Sequence, residues 1–187
     1  FAQAFTQGYG TDGTLQRGMI VRLKEGDSAK VQALSPDEME KMHGVVVNAN
    51  DAAATLSDLS TEKVFVATQG RYEILVSSQN GDIKEGDFIT LSAIKGVGMK
   101  AGDTQPFVAG RALAGFDASS RAVSTTKIKD SEGVERDVRI GRIQAEINIG
   151  RNPLLRGKEA NLPGFLQRVS ESIAGKPVDA SRVYIGM

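Results

Sequence analysis

Val138–Ile149 reads VRIGRIQAEINI, and the order of its apolar residues decides the fold class. Side chains alternate between two faces along an extended chain, so residues two apart share a face. Val138 and Ile140 fall on one face, whereas Ile143, Ala145, Ile147 and Ile149 fall on the other. The apolar set therefore changes parity at Gly141-Arg142. One inserted residue is what a β-bulge does to a strand, and glycine is a common occupant. The expectation is one long strand bent near Gly141, with Gln144, Glu146 and Asn148 on its polar face. Lys127–Lys129 ahead of it, joined through Asp130-Ser131-Glu132-Gly133, supplies a partner strand, so residues 127–149 read as a long hairpin.

Working towards the N-terminus, short strands separated by Gly-Asp punctuation repeat the pattern. Gly18–Leu23 and Ala29–Leu34 flank the turn Lys24-Glu25-Gly26-Asp27. Ser35-Pro36-Asp37-Glu38 has the order of a helix start, with a capping hydroxyl, proline in the first turn and acids at the positive end of the dipole. A short helix through His43, closed by Gly44, is expected, with His43 at the surface or facing the helix dipole. Val45–Asn48 reads as a strand, followed by an Ala- and Ser-rich loop to Glu62. Lys63–Ala67 and Arg71–Ser77 read as a hairpin around Thr68-Gln69-Gly70, with Tyr72, Ile74 and Val76 on one face. Phe88–Ala93 and Phe107–Leu113 are further strands. Beyond the long hairpin, Leu162, Phe165, Leu166, Val169 and Ile173 recur at helical spacing, which predicts an amphipathic C-terminal helix ended by Gly175 and Pro177.

The composition bounds what this scaffold can do. A chain of 187 residues buries roughly 70% of the surface its unfolded form exposes, enough for a core without disulfides or a structural metal. Lys and Arg total 23, as do Asp and Glu, so no net field attracts phosphates and nucleic acid is not an expected partner. The absence of cysteine excludes thiol catalysis, thiolate metal sites and disulfides. No apolar run reaches the ~20 residues of a membrane span. The first residue is Phe1 rather than Met, which points to processing or a cut boundary. Ser181–Met187 reads as a final strand or as the lead-in to a membrane anchor beyond the C-terminus.

No constellation of reactive residues emerges. Nucleophilic catalysis needs a base beside the nucleophile. Ser77, Ser78 and Ser92 follow strands, but His43 is the single imidazole and nothing marks a G-x-S-x-G elbow; a Ser–Lys pair such as Ser92 with Lys95 is the alternative. Gly96-Val97-Gly98-Met99-Lys100 lacks the strand–loop–helix context of a phosphate cradle and reads as a tight turn. The Gly-Asp steps at 26–27, 81–82, 86–87 and 102–103 offer isolated carboxylates, whereas calcium needs six to eight converging oxygens; turn chemistry explains them, with one calcium at a subunit junction the alternative. Arg136, Arg139, Arg142, Arg151 and Arg156 interleave with Glu135, Asp137 and Glu146 as a salt-bridged face, with a basic stripe that meets an acidic neighbour as the alternative. No catalytic residue, cofactor or metal is expected, and no enzymatic activity.

Residues 81–115 carry a resemblance. Gly81-Asp82-Ile83-Lys84-Glu85-Gly86-Asp87-Phe88-Ile89, Ser92, Gly96-Val97-Gly98-Met99-Lys100-Ala101 and Val108-Ala109-Gly110-Arg111-Ala112-Leu113 are similar to β-rich modules of phage and bacterial surface appendages, of the capsid-decoration or tail-appendage type. The likeness implies a Gly-Asp turn entering a strand, a small-residue loop and a closing Gly-Arg-Ala strand. Some such modules trimerise or cleave themselves; no residue here matches a cleavage motif.

The expected fold is mainly β: an antiparallel sandwich or partly open barrel with a long bulged hairpin and one C-terminal amphipathic helix. Residues 1–17 form an N-terminal extension, 18–150 the β-rich domain, and 151–187 a linker, helix and C-terminal segment. Phe1–Gly13 is polar and Gly-rich, with Phe1, Phe5 and Tyr9 as its anchors; it orders against its own domain or against a neighbouring subunit. The function this suggests is a structural subunit of an extracellular or cell-surface homopolymer (filament, appendage or coat) assembling by tail or strand exchange. Copies of itself are then the partners, and the assembly contacts are Phe1, Phe5, Tyr9, Leu154, Leu155, Phe165, Val169 and Ile173. The alternative is a monomeric β-rich binding ectodomain of a membrane-anchored protein, with a surface protein as partner; the absence of tryptophan disfavours a glycan.

Overall fold

A computed structural model of the chain describes residues 6–47 and 63–155. Phe1, Phe5, the loop before Glu62 and the expected C-terminal helix with Phe165, Val169 and Ile173 lie outside the described residues. The fold is mainly β. Its strands are β1 (Thr6–Gly10), β2 (Ile20–Lys24), β3 (Asp27–Ala33), β4 (Gly44–Val47), β5 (Lys63–Ala67), β6 (Gln69–Ser77), β7 (Phe88–Leu91), β8 (Gly98–Lys100), β9 (Phe107–Ala112), β10 (Ser124–Lys129) and β11 (Glu135–Arg151).

The first five strands close a barrel in the order β1-β3-β2-β4-β5. Each sends one buried residue into a common cluster: Tyr9, Val21, Val31, Val46 and Val66. The remaining strands pair in the order β10-β11-β6-β8-β7-β9, and β9 returns to β11. Five of these six therefore form a ring of pairings, with β10 attached outside it. A larger core is shared between the two halves. It joins Ile20, Val45, Val47 and Ala67 of the barrel to Tyr72, Ile74, Val76, Ile89, Leu91, Ile143 and Ile147 of the second sheet. Backbone bonds cross the same junction, Leu75 N–H to Gly18 O at 2.9 Å and Ile20 N–H to Gly96 O at 2.8 Å.

Two expectations are corrected here. Lys63–Ala67 and Arg71–Ser77 do not form a hairpin. β5 pairs with β1 and β4, whereas β6 pairs with β11 and β8. The chain crosses between sheets at Thr68–Gly70, where Gly70 adopts φ +118°, a conformation that side-chain-bearing residues avoid. The short helix is a six-residue 3-10 segment, Pro36–Lys41, broken at Glu38, and Ser35 makes no side-chain cap. Glu38 is drawn inward to the buried guanidinium of Arg22. Gly44 belongs to β4 rather than closing a helix.

β11 is the long strand the sequence announces, but its bulge lies elsewhere. Its register with β6 is unbroken from Ile140↔Ser77 to Asn148↔Gln69, so no residue is inserted at Gly141. The irregularity falls between Ile147 and Gly150, opposite β9. The parity change has another cause: the strand is buried on different faces along its length. Val138 packs with Ala93 and Ile128, and Ile140 with Leu75 and Val97. Further on, Ile143, Ala145 and Ile147 enter the shared core from the opposite face. Gly141 sits at the changeover because the Phe116 ring occupies the space beside it; a Cβ there would lie 2.4 Å from Phe116 Cε1 and 2.8 Å from Arg121 O.

Gly141→Ala is therefore expected to destabilise the fold by about 1–3 kcal/mol, the range of overpacked cores. Gly150→Ala, whose Cβ would meet nothing within 4 Å, should stay within about 0.5 kcal/mol of the parent. Urea unfolding of the two variants measures the difference.

Candidate functional site

The described residues gather their distinctive chemistry at the seat of β1. Thr6–Gly10, expected within an N-terminal extension, is a strand of the chain's own barrel. It pairs antiparallel with β5 over five residues, Thr6↔Ala67 to Gly10↔Lys63, and parallel with β3 at Gly10↔Lys30. Small residues at Gly8 and Gly10 admit the Lys63 and Lys30 stems alongside the backbone. Tyr9 is the one β1 side chain buried in the barrel, at 6% exposure.

The Tyr9 hydroxyl lies 3.0 Å from His43 Nε2, in a part-buried contact. The two rings meet edge to face at 5.6 Å between centroids. Burial raises the phenol's pKa and lowers that of the imidazole, so both rings are held neutral near pH 7. His43 thus leaves the surface or dipole-facing role expected for it. It follows the 3-10 segment, its N–H donates to Val21 O at 2.9 Å, and its ring is half-buried against Tyr9. The sequence gives no sign of this contact because 34 residues separate the partners.

The connector leaving β1 is tied down by charge. The Asp12 carboxylate accepts from Lys24 at the end of β2 and from Lys30 in β3, the latter at 2.7 Å. A cleft of about 200 Å³ beside it is lined by Thr11, Asp12, Leu15, Lys24 and Val31. That is below the roughly 300–1,000 Å³ of pockets that bury a small-molecule ligand.

The other candidates are spent on structure. The Ser92 hydroxyl donates to Val97 O at 2.6 Å and accepts from Ile94 N–H at 3.0 Å, while Lys95 is exposed. Gly96 and Val97 N–H donate to Leu34 O and Ile94 O, so these amides do not cradle an anion. Asp27 and Asp87 accept from nearby backbone amides, as turn residues do. Among the described residues no three His, Asp or Glu side chains are placed to hold a metal ion, and no helix is long and apolar enough to cross a membrane.

Of the remaining assembly-contact candidates, Leu155 is buried and Leu154 is 47% exposed. Both follow Asn152, which is fully buried. Its amide donates to Gly102 O and Gln105 O at 2.9 and 2.8 Å and accepts from Leu154 N–H at 2.9 Å. Comparison of the chain with known proteins finds no matching family and no matching curated relative.

Hydrogen bonds from Lys24 and then Lys30 hold the Asp12 carboxyl at about 2, below its ordinary 3.8. A depressed carboxylate stabilises the fold above its unfolded value and loses that contribution as pH falls through the folded one. The expected NMR titration midpoint of Asp12 is about 2. Asp12→Asn should remove this step and speed amide exchange in residues 11–15, leaving the second sheet unchanged.

Proposed function

We propose that this chain is a structural subunit of a surface homopolymer that assembles by exchanging β1 between copies. The observation that carries the reading is the construction of the first barrel. The first strand of the described residues completes it, through backbone pairing to β5 and one buried side chain, Tyr9. A barrel vacated by its own β1 presents an unpaired β5 edge and an apolar slot, and the strand of another copy fits both. In such strand addition the main chain supplies affinity and alternate side chains set the register. Residues 11–19, between β1 and β2, span about 30 Å when extended, enough to reach an adjoining barrel.

A second feature supports exchange over simple edge-to-edge joining. Among the described residues β10 is the one strand outside both closed sets of pairings. Its register and the Asp130 N–H to Val134 O bond turn the backbone of Thr125, Lys127 and Lys129 outward. Lysines on an open edge oppose pairing with an identical edge. An extracellular or cell-surface setting accords with the likeness of residues 81–115 to appendage modules.

The fact that β1 closes its own barrel favours the second reading, a monomeric binding ectodomain, and the two separate by experiment. Under exchange, a chain lacking residues 1–10 binds a synthetic peptide of residues 1–13. The Tyr9→Ala peptide should bind weaker by about 3–5 kcal/mol, as for other large aromatic truncations. Differently labelled full-length copies should form mixed oligomers on size exclusion. Full-length chains that stay monomeric and never mix at high concentration overturn the reading.

A further inference from the structure

We propose that the strand passed between copies carries its own charge lock: Asp12 of the donor closes on Lys24 and Lys30 of the receiving copy, and this match selects a second copy of the chain in one register. The lock rests on the strand-exchange reading.

Covalent reach places it. In the barrel Gly10 pairs with Lys63 on one side and with Lys30 on the other. Asp12 is two residues further on, so its Cα lies within about 7 Å of the Gly10 Cα whatever path the connector takes. A second copy's β1 seated in this register therefore brings its Asp12 to the receiver's lysines, and the residues after Asp12 make the crossing between copies. The receiving charges come from two different strands. Lys24 ends β2 and Lys30 lies in β3. Both ammonium groups meet the one carboxylate, Lys30 Nζ at 2.7 Å. That carboxyl, held at about 2, is ionised at neutral pH.

Tyr9 and Asp12 then divide the recognition. A slip of one residue along β5 turns Tyr9 away from the barrel interior. A slip of two restores its face but moves Asp12 by about 7 Å, away from both lysines. Tyr9 thus fixes the face of the strand and Asp12 its position. Exposed ion pairs add little to stability. A mismatched partner, however, sets like charges together, which is how charges act on partner choice.

The chain has no cysteine, so disulfide trapping reads the seat directly in full-length protein. A donor carrying Gly10→Cys is mixed with a receiver carrying Lys63→Cys. These positions face each other across β1 and β5, so a donor–receiver disulfide reports an exchanged strand. Donors with Asp12 or Asp12→Lys are each paired with receivers holding the parent lysines or Lys24→Asp and Lys30→Asp. Around this cycle the ratio of matched to mismatched yields should exceed one severalfold, and changes in either chain alone cancel. The ratio should shrink in 1 M salt, which screens charges beyond about 3 Å. Asp12→Asn with Lys24→Gln and Lys30→Gln form a milder cycle should a reversed charge unfold the barrel. A ratio of one overturns the lock and leaves strand exchange standing. No donor–receiver disulfide from any pairing overturns strand exchange, and the lock with it.

Discussion

β11 is the constraint on which the second half of the molecule depends. One strand of 17 residues pairs with β6 on one side and with β10 and then β9 on the other. It can do so only by presenting apolar residues to different cores at its two ends. Gly141 makes the transfer feasible, since Phe116 needs the volume that any side chain there would take. The ring of pairings, the shared core and the site where Asn152 fastens the chain beyond β11 all follow from this strand's length and register.

How far the sequence discloses this is instructive at single residues. The period-two pattern in 72–76 and 143–149 identifies strands because a half-buried strand has no other way to sort its side chains. The Lys24–Asp27 turn is equally legible, with Gly26 at φ +81°. The parity change at Gly141 is legible as an event but ambiguous in cause: a bulge and a change of buried face leave the same mark in one dimension. The crossing at Thr68–Gly70 is hidden for a similar reason, since Gly-containing turns serve hairpins and sheet-to-sheet corners alike. Tyr9 stands out in the sequence only as an apolar residue in a polar opening segment. Its contact with His43 is not legible there, because a hydrogen bond across 34 residues leaves no local pattern.

The first barrel differs from the second sheet in how it is held. Its interior cluster draws one residue from each strand, and β1 contributes Tyr9, its pairing to β5 and a parallel bridge to β3. The second sheet meets the barrel through the shared core and several backbone bonds. The seat of β1 is closed and local to the barrel, whereas the larger core joins the barrel to the second sheet.

The antiparallel run of β1 along β5 also has a mechanical meaning. Tension applied along the axis of β1 loads all five residue pairs from Thr6↔Ala67 to Gly10↔Lys63 together, in shear, whereas tension across the axis would peel them one by one. A joint stressed in shear yields only when the whole run slips, and the Tyr9 ring, lodged behind the barrel wall, obstructs that slip. The resistance of this joint therefore depends on the direction of the load.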